Sequence, residues 1–380
     1  MNETPVLIIG AGPAGLAMAG RLRKLNIPFE ILEKSDRIAC AWHEHYDRLH
    51  LHTVKELSHL PHLPFPEDYP RYVSRQQLVD YYEMYAKAFD IKPHFDTEII
   101  SIKKSNNKWT VKARNGKKWE AEQVVIATGT NRAVNRPIFE GEEKFQGRIM
   151  HSRIYKHADP FHDQRVLVVG MGNTGAEIAL DLCEHDIETY LSVRSEVNIV
   201  PRDTFAGPTQ LTALRLAKLP TWLGDWLGTQ LRRVMVGDLS RYGIPTAKIP
   251  PAKQLRITGK TPVIDIGTIK HIKARKIKVL PGIDHFTKEG VVFTNGEKYA
   301  FDTVILATGY AAKLDDFIPD ASEVLDEHGW PKSCIGEGKH QGLYFLGYDN
   351  YVPGGILGVI YRDSEKIANQ ISTFKRNIAL

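Results

Sequence analysis

Cysteine is scarce in this chain. Its 380 residues include only Cys40, Cys183 and Cys334, and no two of them lie close together in sequence. This spacing excludes a CxxC redox pair and a zinc site built from neighbouring cysteines. The length, which suits two or three domains of ordinary size, excludes a small scaffold held by disulfides. We therefore expect a globular protein from a reducing, cytoplasmic setting.

Long apolar runs and basic blocks are also missing. No uncharged apolar run reaches about 18 residues, and no basic segment precedes the apolar run that begins at Val6. The net charge of +5 is spread along the chain, without the basic blocks of about five to eight residues that mark nucleic-acid-binding segments. We expect no stable membrane insertion, no secretory signal and no nucleic-acid partner.

A glycine motif occurs twice in the chain. In the first copy, an apolar strand at 5–9 is followed by a glycine turn, a helix at 16–25 and a second strand at 29–32. This is the βαβ arrangement of dinucleotide-binding folds, in which the glycines let the backbone approach a pyrophosphate at a helix N-terminus. An acidic residue after the second strand would accept hydrogen bonds from a ribose diol and repel a 2′-phosphate, so we expect FAD here. The predicted contacts are Gly10, Gly12, Pro13, Ala14, Gly15, Glu33 and Lys34.

The second copy has a basic residue near the corresponding edge. A strand at 165–169 leads into the glycine turn, a helix at 176–183 and a strand at 188–193. That strand ends in Arg194 and Ser195, which we expect to occupy the place of Glu33 in the first copy, and an arginine there suits a ribose 2′-phosphate. We expect this site to prefer NADPH. The predicted contacts are Gly170, Gly172, Asn173, Thr174, Gly175, Arg194 and Ser195.

Each copy later reaches a strand-rich segment that ends in Ala-Thr-Gly. The two segments end at Gly129 and Gly309, and the hairpin turn Asn295-Gly296 lies in the second. The pattern predicts an α/β fold of two Rossmann-like, three-layer dinucleotide-binding domains, with the NADPH domain inserted in the FAD domain. We predict the FAD domain at 1–160 and 284–380, and the NADPH domain at 161–283 with a helical insertion at about 208–245. Two such nucleotides imply hydride transfer from NADPH to FAD.

The segment between the two copies carries a more specific pattern. Phe145-x-Gly147-x-x-x-His151-x-x-x-Tyr155 resembles the signature of the class B flavin-dependent monooxygenases, and Tyr155 stands where the related Baeyer–Villiger enzymes usually have Trp. The resemblance to the YUCCA-type subgroup is nearly full-length. It includes the phrases at 46–52, 64–68, 85–93, 259–267 and 306–310.

This resemblance implies an activity and further site residues. A C4a-hydroperoxyflavin would attack the ketone of indole-3-pyruvate, and loss of carbon dioxide would give indole-3-acetate, the chemistry of auxin biosynthesis. His52 stands, with Lys55 downstream, where many flavin monooxygenases place an Asn beside the flavin. The remaining cofactor contacts that we predict are Trp42, His52, Gln77, Ala127, Thr128, Gly129, Ala307, Thr308, Gly309, Tyr310, Gly347 and Leu357.

Several of these residues have simpler interpretations. The catalytic candidates are His52, His151 and Tyr155, although His52 could instead be a packed loop histidine. The resemblance implies that the motif with His151 and Tyr155 holds NADP and flavin in register, and we favour a structural and gating role for them over acid–base chemistry. The two residues could also simply share a helical face that braces the interdomain linker. Trp42 could pack in a core, and Gln77 could cap a helix. Six histidines lie between His43 and His62, but their spacing matches no zinc signature, so we expect no metal site.

The apolar stripe at 212–240 also has two interpretations. It fits a lid over the substrate cavity or a membrane-surface helix, and we favour the lid.

Other functions fit the same motifs. S- or N-oxygenation of a soft nucleophile and Baeyer–Villiger oxidation are alternatives, as are a flavin-dependent NADPH reductase or oxidase without oxygenation and a nucleotide-sensing protein. We expect O2 and a small-molecule substrate, with a 2-oxo acid favoured. The sequence leaves the substrate-selecting residues and the oligomeric state open, with a homodimer among the options.

Overall fold

The chain forms two compact units. The structure, a computed structural model, describes residues 2–105, 107–205 and 207–378. The first unit comprises Met1–His43, Thr53–Ala133 and Tyr310–Leu380, and the second comprises Glu44–His52 and Val134–Gly309. The second unit is therefore inserted in the chain of the first.

The described residues form strands and α-helices with the following bounds. The strands are β1 Asn2–Ile9, β2 Glu30–Leu32, β3 Ile99–Ser105, β4 Lys108–Ala113, β5 Lys118–Ile126, β6 Ala133–Val134, β7 Arg148–His151, β8 Arg165–Val169, β9 Glu188–Ser192, β10 Ile199–Pro201, β11 Asp203–Thr204, β12 Gly207–Pro208, β13 Val263–Asp265, β14 Ile277–Leu280, β15 Ile283–Phe286, β16 Gly290–Phe293, β17 Lys298–Ala300, β18 Thr303–Leu306, β19 Tyr310–Ala311 and β20 Leu343–Phe345. The α-helices are α1 Pro13–Lys24, α2 Cys40–His43, α3 Arg75–Ala88, α4 Asn173–Glu184, α5 Thr209–Leu216, α6 Thr221–Met235, α7 Pro251–Thr258, α8 Thr268–Lys273 and α9 Ile356–Ile378.

The first unit is built on a six-stranded sheet. Its order is β2-β1-β5-β4-β3, and β20 also pairs with β5. Strands β2, β1, β5 and β20 run parallel, whereas β4 and β3 are added as an antiparallel meander. The last four residues of β1 and of β5, and all of β20, are buried, because helices can cover a parallel sheet on both faces. Trp109 and Trp119 fill the core on one face of this sheet.

The second unit repeats the parallel part of that plan. Its five-stranded sheet has the order β14-β9-β8-β18-β7, and all of its pairings are parallel. A separate antiparallel sheet, β15-β16-β17, contains the predicted turn, in which Gly296 has a φ of 84°. This unit has two clusters of buried apolar side chains. One includes apolar residues of helix α4, and the other includes Phe286 and Phe293.

The boundaries between the two units differ from the domain boundaries predicted at 160/161 and 283/284. Strand β7 pairs with β18, which pairs with β8, so Arg148–His151 joins the second sheet by backbone hydrogen bonds. Residues 134–160 as a whole belong to the second unit. The whole antiparallel sheet at 283–300 also belongs to the second unit. No signal in the local sequence reports these pairings, because they join segments far apart in the chain.

The predicted insertion is helical. Helix α5 ends before Pro220, and α6 begins directly after it, because proline starts a helix readily but cannot continue one. No helix among the described residues has the length and apolar character needed to cross a membrane.

Candidate functional site

The first glycine turn joins β1 to α1. Gly10 has a φ of +106°, and a β-carbon there would lie 2.5 Å from the Ala127 carbonyl oxygen. A β-carbon on Gly15 would lie 1.9 Å from the Gly10 carbonyl oxygen. The turn and the helix can therefore pack this closely only when both positions are glycine.

The second turn reproduces this geometry with an offset of 160 residues. Gly170 has a φ of +103°, and a β-carbon on Gly175 would lie 1.9 Å from the Gly170 carbonyl oxygen. The Gly10 N–H donates to Leu32 O at 2.8 Å, and the Gly170 N–H donates to Ser192 O at 3.0 Å. The two turns are thus the same structural device, used once in each unit.

The middle glycine of each turn faces open space. A β-carbon on Gly12 or Gly172 would meet nothing within 4 Å. Each is the N-cap of its helix, α1 or α4, and its helix has no side-chain cap hydrogen bond. The first N–H groups of both helices therefore lack side-chain acceptors and suit an anionic phosphate, which fits the pyrophosphates of two dinucleotides.

Glu33 anchors the first turn. Its carboxylate accepts from the Ala11 N–H at 2.7 Å and from the Ser35 N–H at 2.9 Å, and the residue is buried. A carboxylate held at the end of β2 by two backbone donors is fixed in position and retains lone pairs for a ribose diol. Lys34, next to it, is exposed.

The structure revises the comparison between Glu33 and Arg194. Because Leu32 and Ser192 occupy equivalent positions, Glu33 corresponds to Val193, and Arg194 corresponds to Lys34. Val193 is buried, whereas Arg194 and Ser195 are exposed. The second site therefore has no carboxylate at the place where the first site has one, and its arginine is accessible to a phosphate.

The Ala-Thr-Gly segments lie beside the two turns. The Ala127 N–H donates to Ile9 O, and the Ala307 N–H donates to Val169 O. The Thr128 hydroxyl is hydrogen-bonded to the Tyr348 hydroxyl at 2.8 Å. Burial raises the pKa of Tyr348 to about 12, so its hydroxyl stays protonated at neutral pH.

Reciprocal hydrogen bonds between Thr308 and Asn135 fix the Ala-Thr-Gly segment of the second unit in place. The Thr308 hydroxyl donates to Asn135 O at 2.5 Å, and the Asn135 amide donates back to Thr308 O at 3.2 Å. Gly129 and Gly309, with φ values of 77° and 86°, end the two segments.

The Phe145 to Tyr155 pattern forms a brace within the second unit. Phe145 packs edge-on against Phe286, and a β-carbon on Gly147 would collide with the Phe145 ring and with Asp302 O. Tyr155 is buried, and its hydroxyl donates to the Asp181 carboxylate on α4 at 2.5 Å. Burial raises the pKa of this hydroxyl far above its usual range, which favours a structural role over proton transfer.

His151 and Tyr155 do not share a helical face. His151 ends strand β7, and a short 3-10 helix, Ser152–Ile154, separates the two residues. The His151 Nδ1 accepts from the Arg153 N–H, so the neutral ring carries its proton on Nε2. Burial lowers the pKa of His151, and its hydrogen bond with the Gly309 backbone acts in the opposite direction.

His52 lies against a buried glutamate. Its Nε2 is 2.8 Å from Oε1 of Glu177, whose side chain is only 2% exposed. Both residues belong to the second unit, and Glu177 lies in α4, two residues beyond Gly175. The buried His52 Nδ1 has no hydrogen-bond partner among the described residues. A flavin contact by His52 stays a prediction.

We expect His52→Ala to lower the free energy of unfolding by about 3 kcal/mol, because it leaves a buried carboxylate without its partner. Urea unfolding followed by circular dichroism measures this loss. The double variant His52→Ala/Glu177→Met should recover at least half of it. An unchanged unfolding midpoint in His52→Ala would show that the pair contributes nothing to folding.

Trp42 and Gln77 both take part in local packing. The Trp42 ring lies 6.0 Å from that of Tyr82 in the first unit. Gln77 completes a capping box with Ser74 at the start of α3, which agrees with the simpler of its two interpretations. Flavin contacts by either side chain stay predictions.

Three further predicted contacts lie in the first unit. Gly347 has a φ of +86° and approaches Ala14 at the start of α1, Leu357 is buried in the first turn of α9, and Tyr310 starts β19. For metals, the described ranges contain no group of three or more His, Cys, Asp or Glu that could hold an ion.

Glu177 and Asp181 were not predicted as site residues. Both are buried acids on α4, and each lies against a side chain from a distant segment. The signal was present, because Glu177 and Asp181 interrupt the apolar run at 176–183. Their partners, His52 and Tyr155, could not be assigned without the fold.

Comparison with known proteins agrees with this geometry. The family model described as flavin-binding monooxygenase-like matches residues 4–326, which is most of the chain. The chain belongs to the flavin-binding monooxygenase-like family.

Two relatives illustrate how far the similarity extends within this family. The chain is 38% identical over 361 residues to indole-3-pyruvate monooxygenase YUCCA1 of Oryza sativa subsp. japonica, covering 93% of this chain and 87% of that protein. It is 37% identical over 388 residues to probable indole-3-pyruvate monooxygenase YUCCA10 of Arabidopsis thaliana, covering 99% and 100%. The predicted family and subgroup are confirmed.

Solved structures show the same fold at lower identity. A flavin-containing monooxygenase from Stenotrophomonas maltophilia has a TM-score of 0.75 at 21% identity, covering 98% of this chain and 99% of that one. A steroid monooxygenase bound to NADP has a TM-score of 0.77 at 19% identity, covering 100% and 86%. The predicted α/β fold with two dinucleotide-binding units is thereby confirmed, and the predicted FAD and NADPH agree with this family.

Proposed function

We propose that this chain is an NADPH- and FAD-dependent monooxygenase that converts a 2-oxo acid of the indole-3-pyruvate type to the shortened carboxylic acid. The observation that carries the substrate class is the identity of 38% over nearly the whole length with a protein named for indole-3-pyruvate. The repeated glycine turn supports the use of two dinucleotides, one in each unit.

In this proposal the residues of the first unit bind FAD. The N-terminus of α1 holds the pyrophosphate across Gly12, and Glu33 accepts hydrogen bonds from the ribose. When bound, the flavin accepts a hydride from NADPH and gives the protein its reactivity toward O2. Glu33 serves only to position the ribose.

The second unit binds NADPH. The N-terminus of α4 holds its pyrophosphate across Gly172, and the exposed Arg194 guanidinium binds the 2′-phosphate through charge-assisted hydrogen bonds. His151 and Tyr155 act as positioning residues, since both side chains are engaged by groups of the second unit.

The overall reaction balances with one molecule each of 2-oxo acid, O2 and NADPH and one proton. One oxygen atom enters the new carboxylate and the other forms water, while the original carboxylate leaves as carbon dioxide and NADPH becomes NADP⁺. The reduction of O2 takes four electrons. The oxidation of the 2-oxo acid supplies two of them, and NADPH supplies the other two.

Product analysis tests this proposal. The enzyme is given NADPH, O2 and, side by side, indole-3-pyruvate, phenylpyruvate and a thioether. We expect indole-3-acetate, with one atom from labelled O2 in its carboxylate and carbon dioxide released in equal amount. Sulfoxide as the sole oxygenated product would overturn the substrate assignment. Hydrogen peroxide alone, with every substrate, would indicate an NADPH oxidase.

A further inference from the structure

The net positive charge of the chain is concentrated in one segment. Residues 205–260 contain nine Lys or Arg and two Asp or Glu, a net charge of +7, whereas the whole chain has +5. One of the two acids, Asp225, is paired with Arg256 at 2.7 Å. The other, Asp238, accepts hydrogen bonds from the Ser240 N–H and hydroxyl. We call the exposed side chains of this segment the insertion surface.

Helix α6 presents two tryptophans on this surface. Trp222 and Trp226 are 72% and 56% exposed. With the exposed Arg233 they are spaced by four and seven residues, so all three lie on one face of the helix. Large apolar side chains are usually buried, and two exposed indoles on one helix face mark an interaction surface.

Aliphatic and basic side chains flank the indoles. Leu219, two residues before the helix, and Val234, in its last turn, are 38% and 73% exposed. Lys218 and Arg233 are exposed at the two ends of the same stretch. The exposed tryptophans do not agree with a lid that buries the apolar stripe.

We propose that the insertion surface binds the interface of an anionic lipid bilayer. Indoles are amphipathic and favour the boundary between headgroups and acyl chains, where aliphatic neighbours also gain by burial. Lys and Arg are attracted to anionic headgroups, and a local charge of +7 makes this attraction substantial. The contact is peripheral, with α6 lying in the plane of the membrane surface.

Self-association through this surface is less favourable. A two-fold symmetric contact brings the same patch of both copies together, so two segments that each carry a net charge of +7 would be brought close to each other. Like charges opposed across an interface cost several kcal/mol, which the exposed apolar area must first overcome.

A nucleic acid is also a poorer partner. Bases stack on aromatic rings, but Leu219, Val234 and Ile257, which is 50% exposed, gain nothing from stacking. Each of these side chains would gain by burial in a lipid interface.

Vesicle sedimentation of the full-length, flavin-loaded protein tests the proposal. We expect partition onto vesicles of equimolar phosphatidylcholine and phosphatidylserine, weak partition onto phosphatidylcholine alone, and release by salt. Trp222→Ala/Trp226→Ala should lower the partition coefficient about tenfold. Lys218→Gln/Arg233→Gln should lower it about fivefold for each cation removed.

Matched controls separate this surface from general effects. Ile138→Ala removes an apolar side chain that is 86% exposed elsewhere in the second unit, and Lys112→Gln/Lys117→Gln removes two exposed cations from the first. Both should partition like the wild type. Flavin content and NADPH oxidation without vesicles should be the same in all variants, which shows that they fold.

Four results would overturn the proposal. These are no preference for anionic vesicles, equal partition of the tryptophan variant, dimers that this variant abolishes, and binding to single-stranded poly(U) in preference to vesicles. A raised KM of the tryptophan variant for 2-oxo acid in vesicle-free solution would restore the lid interpretation.

Discussion

Gly175→Ala is expected to lower NADPH-dependent reduction of the flavin by at least about 100-fold while the flavin stays bound. A β-carbon at this position would lie 1.9 Å from the Gly170 carbonyl oxygen, far inside contact distance. The obstacle is backbone, so the helix α4 must move away from the turn. This shift displaces the N–H groups that we propose bind the pyrophosphate, and a displacement of about 1 Å is enough for a loss of this size.

Gly15→Ala is the matched change in the first unit. Its β-carbon would lie at the same 1.9 Å from Gly10 O, so we expect protein that is purified without flavin. Flavin absorbance relative to protein absorbance reports the first site, and retention on a 2′,5′-ADP resin reports the second. Gly175→Ala should keep its flavin but no longer be retained on the resin. Gly15→Ala should be retained on the resin but lack flavin.

The control for these two variants is Gly228→Ala in helix α6. There the nearest atom to an added β-carbon is Leu216 Cδ1 at 3.8 Å, an ordinary contact. Alanine favours a helix over glycine by about 1 kcal/mol, so this variant should be as stable as the wild type or more so. If Gly175→Ala reduced flavin with NADPH at the wild-type rate, the second turn could not be the NADPH site.

Arg194→Ala is expected to lower kcat/KM for NADPH about 100-fold and that for NADH less than about threefold. A charge-assisted hydrogen bond to a phosphate contributes about 1.5–3 kcal/mol, and only NADPH carries the 2′-phosphate. Steady-state kinetics with both nucleotides measures the two losses. Arg194→Lys should keep part of the preference, because it retains the charge but not the bidentate geometry.

Arg148→Ala provides the control for charge. Arg148 is exposed on strand β7 of the same unit, so its removal changes the net charge equally but not at the nucleotide edge. It should leave the preference for NADPH unchanged. Equal losses with NADPH and NADH in Arg194→Ala would refute the assignment of Arg194 to the 2′-phosphate.

Much of the fold was determined by the sequence alone. Glycine at 10, 15, 170 and 175 is required by local backbone geometry, and the strand and helix patterns beside these positions are also local. A pattern that depends on neighbours in the chain can be read without the fold. The two turns, the helices that follow them and the hairpin at Gly296 were predicted for this reason.

Only the tertiary structure decided what lies opposite each residue. The hydrogen bonds from Gly10 and Gly170 showed that Glu33 corresponds to Val193 rather than to Arg194. Strand pairing placed Arg148–His151 in the second sheet, and folding brought His52 to Glu177 and Tyr155 to Asp181. The two side-chain contacts join residues 125 and 26 positions apart, and their geometry depends on strand register and helix packing, which the local sequence does not report.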